Sequence, residues 1–241
     1  TQMTVMRCDV GWSVSSRATY LGHMFILEGI ERRYGPTLAL RIDRWEARAG
    51  ERWLIAGPSG SGKSTALALL TGLLRPTSGT IIVSGQNLAA LEGSALDRWR
   101  GRTIGFVPQR LHLVASLSVL DNVLLAQYLA GKHTDVDRAR ATLSSVGLEA
   151  FFDRHPSMLS QGQAQRVAVA RAVVNGPSLL IADEPTASLD DEHAARTLEL
   201  LTSQAERSNA TLVVASHDGR IRDAFEHRLN LTNLTNSGGV Q

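Results

Sequence analysis

The chain has 241 residues, 43% hydrophobic and 20% charged, which is the balance of a globular protein long enough to bury a sizeable core. Lys and Arg outnumber Asp and Glu by 25 to 23, so no global field argues for nucleic acid or acidic lipid, and no nucleic-acid partner is expected. Cys8 is the single cysteine, which excludes a disulfide framework and a cysteine-built zinc site and makes a reducing cytoplasm the natural compartment.

Residues 1–23 show no periodicity and no basic segment leading into an apolar one. They read as an N-terminal extension rather than a signal peptide, with a flexible tail and a mis-assigned start both open. From residue 24 to 241 one domain is expected. Strand patterns come first: Met24–Ile30, Leu38–Ala47, Arg52–Gly57 and Thr80–Gly85, then Thr103–Gln109. Between the third and fourth, Ser64–Leu74 has an apolar helical face. From about 112 to 174 the pattern turns helical and suggests an inserted subdomain. There Ser118 and Asp121 offer a capping box, Gly131 a stop, and Asp135–Leu148 a further helix. Alternation then returns, with a strand at Ser178–Asp183, a helix over about Asp190–Arg207 and a strand at Ala210–Ser216. No run reaches the roughly 18 apolar residues of a membrane helix. Short apolar strands separated by helices predict an α/β fold with a largely parallel sheet covered on both faces.

The loop after the third strand reads GPSGSGKST: Gly57, Pro58, Ser59, Gly60, Ser61, Gly62, Lys63, Ser64 and Thr65. It fits the phosphate-binding P-loop pattern G-x-x-x-x-G-K-[ST] between a strand and a helix. The glycines let backbone N–H groups approach phosphate oxygens, and the following helix N-terminus favours an anion. Lys63 can reach the β- and γ-phosphates of ATP, and the Ser64 hydroxyl can complete a Mg²⁺ shell. About 120 residues on, the apolar run Leu179–Ala182 carries Asp183 and Glu184 to a strand end, where open α/β sheets bind ligands. Asp183 is the candidate Mg²⁺ ligand and Glu184 the candidate base for an attacking water.

Met158–Asp190 resembles the ATP-binding cassette (ABC) ATPases. LSQGQ (Leu159–Gln163) is similar to the family signature LSGGQ, ADEP carries the acids, and SLD (Ser188–Asp190) resembles the D-loop. Gln109 resembles the Q-loop glutamine, His217 the switch histidine, and Tyr34, 29 residues before Lys63, the aromatic that stacks on adenine. The resemblance spans about Phe25 to Leu231. It implies a P-loop ATPase of the ABC type, with an N-terminal antiparallel β subdomain and a helical insert. It also implies a homodimer or paired cassette in the ATP state, with each nucleotide between the P-loop of one subunit and Ser160, Gly162 and Gln163 of the other. Gln109 would sense Mg²⁺, and His217 would reach the γ-phosphate and the attacking water. Read as structure alone, Ser160 is an N-cap, His217 a surface histidine and Tyr34 a packed turn aromatic. Gln161 departs from the signature's first glycine, and slower dimer closure is one consequence that substitution can have.

Within the family, RRYG, GPSGSGKST and ADEPTASLD look like the lipoprotein-release, macrolide-export and division-linked cassettes. The expected function is the ATP-hydrolysing subunit driving separate integral membrane permease subunits. It would lie on the cytoplasmic side, peripheral on the inner face of the cell membrane. A mechanical or signalling ATPase acting on a cell-wall or division partner is the alternative.

Overall fold

The computed structural model describes residues 22–231 except Ser188. The expected extension before Gly22 and the Ser188 position of the SLD segment therefore lie outside the described residues.

Two sheets organise the chain. Strands β1 (His23–Tyr34) and β2 (Thr37–Arg48) form an antiparallel hairpin whose register closes at Tyr34 opposite Thr37. Strand β3 (Arg52–Ala56) leads through the glycine loop into helix α1 (Lys63–Leu70), which is shorter than the expected Ser64–Leu74. Helix α1 ends early because Thr71 caps it and Gly72 turns left-handed, with φ 68°. Strands β4 (Ser78–Val83) and β5 (Gln86–Asn87) complete a four-stranded antiparallel sheet in the order β2-β1-β4-β5.

Helix α2 (Gly93–Thr103) lies outside the expected elements. It buries no residue and is fastened by arginines: Arg100 donates to the Thr71 carbonyl at 2.9 Å, and Arg102 to that of Ala130 at 3.1 Å. After β6 (Ile104–Val107) come α3 (Val119–Leu129), α4 (Val136–Ser145) and α5 (Gln161–Val173). Ser118 does cap α3, but not as a capping box. The Asp121 carboxylate accepts the Ser118 hydroxyl at 2.7 Å instead of the backbone N–H. The reciprocal box occurs at α5, where Ser160 Oγ accepts from Gln163 N and Gln163 Oε1 accepts from Ser160 N.

Strand β7 (Leu179–Asp183), helix α6 (Asp191–Arg207), strand β8 (Thr211–Ser216) and edge strand β9 (His227–Asn230) finish the fold. The second sheet has the order β6-β7-β8-β3-β9, with every pairing parallel. Its middle strands are apolar on both faces: Leu179, Leu180, Ile181 and Ala182 are 0% exposed. Ile181 and Val213 face the cluster shared with α1 and the antiparallel sheet, while Leu180 and Val214 face α5 and α6. Full burial of each large aliphatic side chain contributes roughly 1.5–3 kcal/mol. A third cluster, including Val119, Val123, Leu143, Leu148 and Val167, holds α3, α4 and α5 together. Because β3, β7 and β8 run in one direction, their C-terminal ends open onto one edge of the sheet, and the chemistry gathers there.

Candidate functional site

The turn after β3 is dictated by two glycines. A Cβ on Gly57 would lie 2.5 Å from the Leu231 carbonyl oxygen and 2.5 Å from Ser61 Oγ, so any side chain there collides with backbone. Gly62, the N-cap of α1, has φ 94°, and a Cβ there would press on Leu40 and the Ala39 carbonyl of β2. That contact sets the β1–β2 hairpin against the loop. Pro58, Ser59 and Gly60 are exposed, as is Ser64, whereas Ser61 and Lys63 are buried and Thr65 is half-buried. Lys63 Nζ donates to the carbonyls of Gly57 at 2.8 Å and Pro58 at 3.1 Å. It also pairs with Glu184 Oε1 at 3.3 Å.

Strand β7 delivers the acids to the same edge. Ser64 Oγ donates to Asp183 Oδ2 at 3.1 Å, while Asp183 Oδ1 is buried with no partner. Buried polar atoms are ordinarily satisfied, so an orphaned carboxylate oxygen beside a hydroxyl is chemically suited to a hard cation such as Mg²⁺. Burial pushes the Asp183 carboxyl above its usual range and the Glu184 charge adds to this, against opposing pulls from Ser64 and Lys63.

Glu184 sits in left-handed backbone, φ 48°, with its N–H donating to the Ala215 carbonyl at 2.8 Å. A non-glycine residue held there is strained, and the cross-strand bond from β8 helps to hold it. Glu184 Oε2 accepts from Ser216 Oγ at 3.2 Å and contacts His217 Nδ1 at 2.9 Å. Burial alone would raise this carboxyl, but the His217 hydrogen bonds and the Lys63 charge outweigh it and hold the group below its usual value. Glu184 is thus ionised and can accept a proton, beside a lysine able to hold a phosphate and a histidine whose side chain is 58% exposed.

Of the remaining candidates, Gln109 shares a cleft with Glu184. Gln109, two residues past β6, lines a 330 Å³ cleft with Glu184, Gln161 and Gln165. Tyr34 is 54% exposed at the hairpin end, with the Arg32 guanidinium 4.6 Å from its ring centroid, so it is not a packed turn aromatic. Ser160, Gly162 and Gln163 line a different cavity, about 820 Å³, together with Asp190 and His193. No P-loop residue lines that cavity, and of the signature segment Gln161 lines the cleft of Glu184.

Three contributors were not singled out from the sequence. Gln165 donates to the Pro185 carbonyl at 2.8 Å, tying α5 to the loop after β7. Arg171 donates to the Leu111 and His112 carbonyls, tying α5 to the segment after Gln109. Asp218 accepts from Thr186 and Arg220. Only Asp218 left a trace, as the residue after His217 in SHD.

A parallel sheet whose strand ends assemble a glycine phosphate loop, a metal-suited Ser64–Asp183 pair and an ionised Glu184 defines a P-loop ATPase. The ABC transporter family pattern matches residues 40–187. The lipoprotein-releasing system ATP-binding protein LolD of Chromohalobacter salexigens is 43% identical over 201 residues, 81% of this chain and 85% of that one. A solved dimeric structure of MJ0796, described as a bacterial ABC transporter cassette, is 33% identical and superposes with a TM-score of 0.78, over 87% of this chain and 95% of that one. A second MJ0796 structure, a dimeric post-hydrolysis state bound to ADP and Pi, matches with the same TM-score of 0.78, identity and coverage. This chain belongs to the ABC transporter family and is its ATP-binding, ATP-hydrolysing subunit.

Proposed function

We propose that the chain powers lipoprotein release or export through a separate membrane permease, with ATP closing a dimer of two cassettes. The observation that carries the composite site is that Ser160, Gly162 and Gln163 line a cavity with no P-loop residue in it. The signature starts a helix whose positive dipole end favours an anion, and its own P-loop does not line the cavity in front of it. A second copy supplies the missing half.

In this reading Tyr34 stacks on adenine, the Gly57–Thr65 loop wraps the phosphates and Lys63 neutralises the β- and γ-oxygens. Ser64, Asp183 and Gln109 would hold Mg²⁺, which would supply positive charge against that of the phosphates. Glu184 accepts the proton of the attacking water, and His217 fixes Glu184 and contacts the γ-phosphate. Residues from about 112 to 174 form the helical subdomain of a single domain extending over 24–241.

Among the described residues no helix is long and apolar enough to cross a membrane, so work on a membrane substrate passes through a partner. The relatives' lipoprotein-releasing role supports that substrate class here, with the chain on the inner face of the cell membrane. The test is co-expression with the membrane protein encoded next to it. Co-purification and ATPase activity stimulated by lipoprotein-loaded permease are expected. A neighbour that binds, but whose activity is cell-wall cleavage with no lipoprotein movement, would overturn the release reading.

A further inference from the structure

One cation in the site region has no place in the roles above. Arg220, three residues after His217, lies in the 3₁₀ turn Gly219–Ala224. Its Nε donates to Asp218 Oδ1 at 2.9 Å, and its Nη2 to Asp218 Oδ2 at 2.7 Å. Its Nη1 donates to Asp191 Oδ1 at 2.5 Å, and Nη2 also reaches the Leu189 carbonyl at 3.2 Å. One planar guanidinium therefore joins the loop after β8 to the residues flanking Asp190 at the start of α6.

The chain of contacts continues inward. Asp218 Oδ2 accepts from Thr186 Oγ1 at 3.0 Å, in the turn that follows Glu184 and Pro185. The Asp218 N–H donates to Ser216 Oγ at 3.0 Å, and that hydroxyl donates to Glu184 Oε2 at 3.2 Å. An unbroken path thus runs from Leu189 and Asp191 through Arg220, Asp218 and Ser216 to Glu184, which His217 also contacts. The end at Leu189 and Asp190 lines the same 820 Å³ cavity as Ser160, and the other end is the carboxylate beside Lys63.

We propose that Arg220 is a positioning residue that couples the cassette–cassette face at Leu189–Asp190 to the placement of Glu184 and His217. The proposal rests on the composite-site reading above. Exposure argues against a mainly stabilising role. The Arg220 and Asp191 side chains are 43% and 89% exposed, and exposed ion pairs contribute little to folding. Asp218 is different, with a side chain 13% exposed and its carboxyl held down to about 2, first by the hydrogen bond from Arg220. A fork of donors is needed to serve both carboxylates and a carbonyl, so lysine replaces it only in part.

The test compares Arg220→Ala, Arg220→Lys and Asp191→Asn in the full chain, reading ATP affinity, kcat and the Hill coefficient of hydrolysis. Arg220→Ala should leave ATP affinity within about twofold, while kcat falls about 5- to 10-fold. Its Hill coefficient should drop from near ~2, the number of sites in a dimer, toward ~1. Arg220→Lys should lie between. Asp191→Asn, which cuts only the arm toward α6, should move the same two quantities and add nothing in the double variant. Unchanged kcat and Hill coefficient in Arg220→Ala would overturn the proposal, as would a kcat loss matched by lost ATP affinity. If Arg220→Ala does not fold, unchanged kinetics in Asp191→Asn overturn it. Full turnover in Glu184→Gln would instead sink the underlying site reading, a result separable from these.

Discussion

Lys63 Nζ lies 3.3 Å from Glu184 Oε1, with the two side chains only 7% and 11% exposed. The cation of the glycine loop and the carboxylate after the neighbouring strand thus form one buried unit, although they stand 121 positions apart in the chain. Such a pair contributes little net stability, because desolvating both charges offsets their attraction, but removing one partner strands the other. The pair therefore makes functional sense as a place where phosphate charge and proton acceptance meet.

Lys63→Ala removes the point charge proposed to meet the phosphates and leaves Glu184 with only Ser216 and His217. ATP affinity should fall by at least ~10²-fold, about 2.7 kcal/mol, and hydrolysis should disappear. Equilibrium binding with a fluorescent ATP analogue checks this. Retention of both binding and turnover would contradict the role given to the loop.

Asp183→Asn should separate stability from function. Because the folded carboxyl titrates above its unfolded value, its contribution to stability is present below the unfolded pKa and lost as pH rises through the folded one. At neutral pH the neutral isostere should therefore raise Tm, by about 2 °C for a chain of this size, while Mg²⁺-dependent hydrolysis collapses. Calorimetry at pH 7 together with an ATPase assay reads both. A lowered Tm would count against the buried-charge argument.

Asp218 has the opposite sign. Its carboxyl is held down to about 2, so its stabilising contribution is present above the unfolded value near ~3.9 and lost as pH falls through about 2. The stability gap between the wild-type chain and Asp218→Asn should be constant above about pH 5 and close between pH 4 and 2. Urea unfolding at stepped pH measures it. A gap independent of pH would show that the Arg220 contact does not depend on the Asp218 charge.

Gln161 lies at the first position of α5 and lines both the 820 Å³ cavity with Ser160 and the 330 Å³ cleft with Gln109 and Glu184. In the proposed closed dimer a long side chain where the signature has glycine would be ordered, at a cost of up to about 1 kcal/mol. Gln161→Gly should raise the ATPase rate by about 2- to 5-fold, and no change in rate would dismiss the effect.

The legible parts of the sequence were those in which one local pattern carried one structure. β7 and β8 are unbroken apolar runs because they are buried on both faces, and the glycine loop needs its residues at fixed spacing. Helix α2 was not legible, since only the half-buried Leu96 and Trp99 mark an inner face in GSALDRWRGRT; Trp99 packs on the main core, and arginine bonds to carbonyls of Thr71, Gly72 and Ala130 hold the rest. Nor was β9, whose HRLN alternates weakly as an edge strand beside β3. The capping pairs show the same limit: Ser118–Asp121 and Ser160–Gln163 have the same spacing, but only the longer glutamine reaches back to the N-cap N–H. Arg220 was hidden because its partner Asp191 is 29 residues away and meets it only after β8 has crossed beside β7.

In the proposed cycle ATP closes two copies into composite sites, and Glu184 then takes the proton of the water that hydrolyses the nucleotide. Sedimentation velocity of Glu184→Gln with and without ATP and Mg²⁺, alongside its turnover, tests it most directly. Monomers are expected without nucleotide, stable dimers with it, and hydrolysis slowed by at least ~10²-fold. A variant that stays monomeric at saturating ATP, or that turns over at near wild-type rate, would contradict it.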